Sequence, residues 1–226
     1  METRHLLAVV PLVLGIACGA SPGPGPAAGA APCVTGNEAH EALPTPGPAD
    51  TIKGGRIVGT VTTTPWHGIK NGAVVYIEDA PKQPGVGLMA AVDNHDMAFV
   101  PFITVLTAGG TVTFGNTDPL IHNVFSPDGE KWDLGSLPQN GAAAKKFDAP
   151  GAYTLLCNIH QDMLGYVVVS PSSYFAKTTS DGTFAITGVP AGTYKVTAWA
   201  PRLTSSTQSI TVGPSGDVVA NFKLAH

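Results

Sequence analysis

The chain reads as an all-β protein, and three observations carry that reading. Only 12% of its residues are charged, while 27 glycines and 20 prolines punctuate it throughout. No stretch repeats apolar residues at helical spacing over any useful length, whereas short runs rich in Val, Ile, Thr and Tyr recur between turn residues. The formal charge of −4 is too small to define a partner, and no basic run suggests nucleic acid.

At the N-terminus, Arg4 precedes the apolar run Leu6 to Ala17. That core fits an export signal and falls short of the ~20 residues that span a bilayer. Residues 1–17 are therefore expected to be a signal peptide. Cys18 directly follows Leu14-Gly15-Ile16-Ala17, which resembles a bacterial lipoprotein cleavage box with Gly15 in the place where leucine is usual. Lipidation of Cys18 would anchor the chain to a membrane; ordinary cleavage, with Cys18 discarded or left as a free thiol, is the alternative. Residues 18–53 are rich in Pro, Gly and Ala from Ser21-Pro-Gly-Pro-Gly-Pro26 onward and read as a tether. The expected location is periplasmic or on the cell surface.

The remaining ~175 residues are many for one small β domain and imply two modules. Gly55-Arg-Ile-Val-Gly-Thr-Val61 and Ala73-Val-Val-Tyr-Ile77 alternate like paired strands, with Asn71-Gly72 as a turn signal between them. Strands are also expected at Ala152 to Cys157 and Tyr166 to Val169, with another ending in the turn residues Phe114 to Pro119, and downstream at Ser180 to Ile186, Val189 to Trp199 and Ser209 to Val212.

The chemistry concentrates in Cys157-Asn158-Ile159-His160-Gln161-Asp162-Met163, with His122 lying 35 positions upstream in Asp118-Pro-Leu-Ile-His122-Asn123. Cys157 closes one strand and the next begins near Tyr166, so the intervening loop delivers three candidate ligands. The turn residues Asn116 to Pro119 let His122 arrive from a neighbouring loop at the same pole. A thiolate, two imidazoles and a thioether form a soft set that suits copper cycling between Cu(I) and Cu(II). Taken singly, each has an ordinary reading: a buried Cys packs as a small hydrophobe, a His is commonly a satisfied polar residue, and a Met fills gaps. The C-x2-H-x2-M order with an upstream His-Asn pair favours copper.

Subtraction narrows the type of centre. The seven histidines, at 5, 40, 67, 95, 122, 160 and 226, include no His-x-His pair, and Cys157 is flanked by Leu156 and Asn158. A trinuclear oxidase cluster cannot be assembled from them, and a dinuclear centre lacks its second loop cysteine. Zinc would accept Cys and two His and would want a harder fourth ligand, for which Asp162 stands available. Met163, however, occupies the matching offset. No open ligand position, second metal or acid/base pair points to an enzyme. Cys33 is left over from an odd count of three cysteines, and a Cys33 to Cys157 disulfide would abolish the site.

From Met97 to Val169 the chain resembles the cupredoxin family of the amicyanin and plastocyanin type. The likeness runs through Phe99-Val-Pro101, Ala108-Gly-Gly-Thr-Val-Thr-Phe114, His122-Asn123, Pro150-Gly151-Ala-Tyr153 and the ligand loop. It implies a Greek-key sandwich holding one type 1 copper per chain, with His122, Cys157 and His160 equatorial and Met163 axial. Asn123 would support them, its N–H facing the thiolate and its side chain tying the loops together. The flanks, with Asp181-Gly182-Thr183-Phe184 and Pro190-Ala191-Gly192-Thr193-Tyr194, resemble a transthyretin-like, carboxypeptidase regulatory-like sandwich. Residues 54–86 and 171–226 would then form that sandwich, with the cupredoxin of residues 87–170 inserted; two consecutive domains are the simpler alternative. From Gly54 onward the architecture also resembles bacterial proteins often labelled methylamine utilization proteins, although relatives often carry histidine after the sandwich tryptophan, where this chain has Ala200. Fold and ligands transfer by residue match; a pathway does not.

The cupredoxin resemblance implies outer-sphere electron transfer with His160 as the port. Pro119, Leu120, Ile121, Ile159 and Leu164 would form an apolar collar for transient docking of a redox protein. Copper storage, sensing or delivery without electron traffic is the alternative function.

Overall fold

The computed structural model describes residues 54–64 and 72–226. The expected signal peptide, tether, Cys18, Cys33 and His67 lie outside them.

Among the described residues there are strands and no helix. In chain order they are β1 (Gly55–Thr64), β2 (Val74–Ile77), β3 (Met89–His95), β4 (Ala98–Val100), β5 (Ile103–Thr107) and β6 (Gly110–Asn116). Next come β7 (His122–Ser126), β8 (Trp132–Leu137), β9 (Ala142–Phe147), β10 (Gly151–Leu156) and β11 (Leu164–Ser170). The chain closes with β12 (Phe175–Lys177), β13 (Thr183–Val189), β14 (Gly192–Trp199), β15 (Ser206–Val212), β16 (Asp217–Val219) and β17 (Phe222–Ala225).

Four sheets result. Strands β3 to β11 supply two of them, ordered β5-β11-β10-β7-β8 and β4-β3-β6-β9. Their facing sides bury Val92, Phe99, Val112, Phe114, Val124, Phe147, Leu155, Val167 and Val169 in one apolar cluster. In β6 the alternation is complete, with Gly110, Val112, Phe114 and Asn116 inward and Thr111, Thr113 and Gly115 outward. The parallel pairs β5/β11 and β3/β6 close a Greek-key sandwich.

The other two sheets combine strands from both sides of that sandwich. One sets β1 between β13 and β16, with β17 also on β1; the other runs β12-β2-β14-β15. Ile57, Val61, Val75, Ile77, Ile186, Val196, Phe222 and Leu224 fill the space between them. The expected pairing of the first two strands is corrected here: β1 and β2 lie in opposite sheets. Both strands must contribute to one core, and each finds its hydrogen-bond partners in the C-terminal strands instead. Gly59 shows how closely they pack, since a Cβ there would sit 1.8 Å from the Ala220 carbonyl oxygen.

A third apolar cluster joins the two sandwiches. Val74, Tyr76 and Trp199 meet Phe102, Ile103, Tyr166 and Val168. Tyr166 stacks edge-on with both Phe102 and Trp199, at centroid distances of 5.5 Å each. Strand β11 is therefore buried on both faces, Val167 and Val169 inward and Tyr166 and Val168 toward the neighbouring sandwich. This explains its unbroken apolar run, which an exposed strand would interrupt.

Candidate metal centre

Antiparallel pairing sets the pole at which the candidate ligands meet. Strand β7 begins at His122, its neighbour β10 ends at Leu156, and β11 begins at Leu164. Leu156 pairs with both Phe125 and Leu164, so the start of β7 and the loop 157–163 occupy the same end of the sheet.

His122, Cys157 and His160 offer ligand atoms that all lie within 4.8 Å of one another. The two Nδ1 atoms approach to 3.1 Å, and His160 Nδ1 lies 3.9 Å from Cys157 Sγ. Two imidazole nitrogens this close share a proton or a metal ion. The separation is below twice a metal–imidazole bond of about 2 Å, so one ion can touch both. His122 is fully buried, Cys157 nearly so, and His160 reaches partway to solvent.

Met163 is 1% exposed and belongs to the same apolar cluster as Cys157. Its N–H donates to the His160 carbonyl at 3.2 Å, which turns the loop back toward the core. Asp162 is exposed and does not join the converging group, so the thioether rather than the carboxylate is on the buried side of the loop. This donor set suits copper better than zinc.

Asn123 spans the two loops. Its backbone N–H points at Cys157 Sγ at 3.4 Å, and its Oδ1 accepts from the Asn158 N–H at 3.3 Å. Its Nδ2 donates to Asp133 Oδ1 at 2.6 Å and to the Gly135 carbonyl at 3.0 Å. Asp133 in turn accepts from the Gly135 N–H at 2.8 Å, so strand β8 fixes which way the amide faces.

Sequence reasoning read Asp118 only as a turn residue. Its carboxylate is buried, accepting the N–H groups of Asp96 at 2.7 Å and Met97 at 2.9 Å, and lying 2.8 Å from His122 Nε2. The Met97 N–H, aided by those of Asp96 and His122, holds this carboxyl below its ordinary range despite burial. An aspartate four residues ahead of a candidate histidine ligand was the available signal. Asp96 and Met97 have φ of 50° and 54°, the left-handed pair of a tight hairpin turn. That conformation costs of order 1 kcal/mol for a residue other than glycine.

Around this pole Leu120, Ile121 and Ile159 are 47%, 53% and 50% exposed, and Pro119 is exposed beside them. Leu164 departs from the expected collar: it is half-buried and packs on the cluster between the sandwiches. His95 is exposed and contacts the Thr117 hydroxyl at 3.0 Å, apart from the ligand group.

The fold is that of an all-β protein of two sandwiches, one similar to cupredoxins and the other to the carboxypeptidase regulatory-like domain. The family model of the carboxypeptidase regulatory-like domain matches residues 165–225. Amicyanin-alpha of Methylorubrum extorquens is 43% identical over 68 residues, covering 28% of this chain. The chain spans only 57% of that relative's length. Among solved structures, a copper-containing nitrite reductase from Thermus scotoductus shares 26% identity over 36% of this chain and 22% of its own, with a TM-score of 0.35. A purple cupredoxin from Nitrosopumilus maritimus shares 24% over 36% of this chain and 99% of its own, at 0.34. A Cu(I) amicyanin variant shares 25% over 44% and 99%, at 0.35.

Proposed function

We propose that this chain is an exported mononuclear type 1 copper protein that carries electrons between other proteins. The observation behind this reading is the convergence of His122, Cys157 and His160 within 4.8 Å beside buried Met163. Bound copper would supply a one-electron Cu(I)/Cu(II) couple. The residues do the rest. Two strand ends and a short loop hold the ligands, the Asn123 N–H stabilises charge on the thiolate, and the apolar core excludes water from the buried side. A frame of this kind lets the oxidation state change with little movement of its donors.

His160, the ligand nearest solvent, is the electron port in this reading, and a redox protein docks on Leu120, Ile121 and Ile159. Such contacts are small, as brief redox encounters require. Residues 87–170 act as an electron-transfer insert in a host sandwich made by residues 54–86 and 171–226, a division supported by the strand pairings. Export and a lipid anchor at Cys18 complete the proposal; loss of membrane association in Cys18→Ser tests the anchor.

The test is a visible and EPR spectrum of the purified chain with one equivalent of Cu(II), with Cys157→Ser as control. An intense thiolate-to-copper band with narrow hyperfine splitting, absent in the control and bleached reversibly by ascorbate, is expected. A colourless, ordinary tetragonal Cu(II) spectrum would overturn the reading. Rapid loss of bound copper to a chelator would instead favour storage or delivery.

A further inference from the structure

Asp118 does two jobs with one buried carboxylate. Its Oδ1 accepts the Asp96 N–H, while Oδ2 accepts the Met97 N–H and lies 2.8 Å from His122 Nε2. A carboxylate that already takes two backbone N–H groups is held ionised and can only accept from the ring. The proton of the His122 ring must therefore sit on Nε2, which leaves the Nδ1 lone pair toward His160 and Cys157. The Asp118 N–H is itself tied to Asn116 Oδ1 at 3.0 Å, and Asn116 Nδ2 holds the Leu120 and Leu137 carbonyls at 2.8 Å each. The carboxylate is thus braced from its own backbone before any metal arrives.

We propose that Asp118 is a positioning residue for the metal: it fixes the His122 tautomer and ring plane, and by gripping the Asp96–Met97 turn it makes the β3–β4 hairpin tip part of the support of that ligand. This inference rests on the copper reading above for its effect on the metal, and on the metal-free geometry alone for the tautomer. An imidazole whose N–H is held by a carboxylate gains anionic character and becomes a stronger donor. A stronger donor favours the more highly charged Cu(II), so Asp118 lowers the reduction potential. The exposed turn with its left-handed Met97 backbone is then held in place by the same group that aligns the ligand.

The experiment compares the full chain with Asp118→Asn, each also in an Asp96→Asn/Met97→Gly background. That Asn-Gly pair forms the left-handed turn without help from a carboxylate. Long-range 15N–1H spectra of the metal-free protein are expected to show His122 as a single Nε2–H tautomer, and a mixture in Asp118→Asn. With copper bound, the variant is expected to lose about tenfold in its preference for Cu(II) over Cu(I), roughly +59 mV for a one-electron couple. Both changes persisting in the Asn-Gly background support the proposal. Effects that vanish in that background would show that Asp118 only holds the turn and would overturn it, as would an unchanged tautomer. A wild-type chain without a blue spectrum defeats the copper reading separately, and the tautomer measurement still decides the role of Asp118.

Discussion

The backbone N–H of Asn123 points at Cys157 Sγ from 3.4 Å, across 34 residues of sequence, while the Asn123 side chain is held at both ends. Backbone and side chain therefore make separable contributions. Asn123→Ala keeps the N–H facing sulfur and deletes the clasp to Asn158, Asp133 and Gly135. We expect a blue spectrum close to wild type and a loss of about 1–3 kcal/mol in denaturant unfolding of the metal-free chain. A loss of colour with unchanged stability would reverse that assignment.

His160 reaches partway to solvent, and its Nδ1 is 3.1 Å from that of buried His122. Shortening it to glycine removes a candidate ligand without touching the core. His160→Gly should leave far-ultraviolet circular dichroism unchanged and open the metal to added imidazole, which restores the thiolate band. An unfolded variant would show that the ring is a packing element rather than a port.

Trp199 and Tyr166 meet edge-on at 5.5 Å in the cluster joining the sandwiches. Trp199→Ala is expected to cost about 2–3 kcal/mol, with the blue spectrum expected of the native state retained because no candidate ligand lies in that cluster. Guanidinium unfolding followed by far-ultraviolet signal and by copper colour measures both. A cost below about 0.5 kcal/mol would mean that the sandwiches are joined by the chain more than by this contact.

Asp181 closes the turn before β13, accepting the hydroxyl of Thr179 and the N–H and hydroxyl of Thr183. Those bonds, the Thr179 hydroxyl foremost, hold its carboxyl below the ordinary value of 3.8. A group depressed on folding contributes stability above its unfolded value and loses it as pH falls through the folded one. The stability gap between wild type and Asp181→Asn should therefore be full at neutral pH and shrink as pH drops below 3.8. A gap that stays constant down to pH 2 would place the effect elsewhere.

What the sequence made legible follows from where local pattern and global packing agree. The Tyr166-Val-Val-Val169 run marks a strand because it is buried on two faces, and the Cys157 to Met163 spacing marks a loop because strands flank it. Strands β8 and β9 are not legible, since WDLGSL breaks its alternation at Gly135-Ser136, AAAKKF carries small and charged residues, and each buries only its last position. The partners of β1 were hidden for another reason. Strand β16 is three residues long, and its parallel pairing with β1 joins positions some 160 apart. The spacing of Asp118 four residues before His122 hints at one of its contacts, but its hold on Asp96 and Met97 depends on β3 lying parallel to β6, which no periodicity announces.

Strand β2 ends at Ile77 and β12 begins at Phe175, yet Phe175 pairs with Tyr76 and the Ile77 N–H reaches the Tyr174 carbonyl at 3.0 Å. Everything between is an excursion that returns to its starting point. As a floppy loop of that length it would carry a length-dependent closure entropy of about 4 kcal/mol against host assembly. Folded first, the insert presents both its ends side by side and removes most of that cost. Occupancy at the ligand pole would then be felt far away: an ion that stabilises the insert also raises the melting temperature of a host sandwich that contributes none of the candidate ligands.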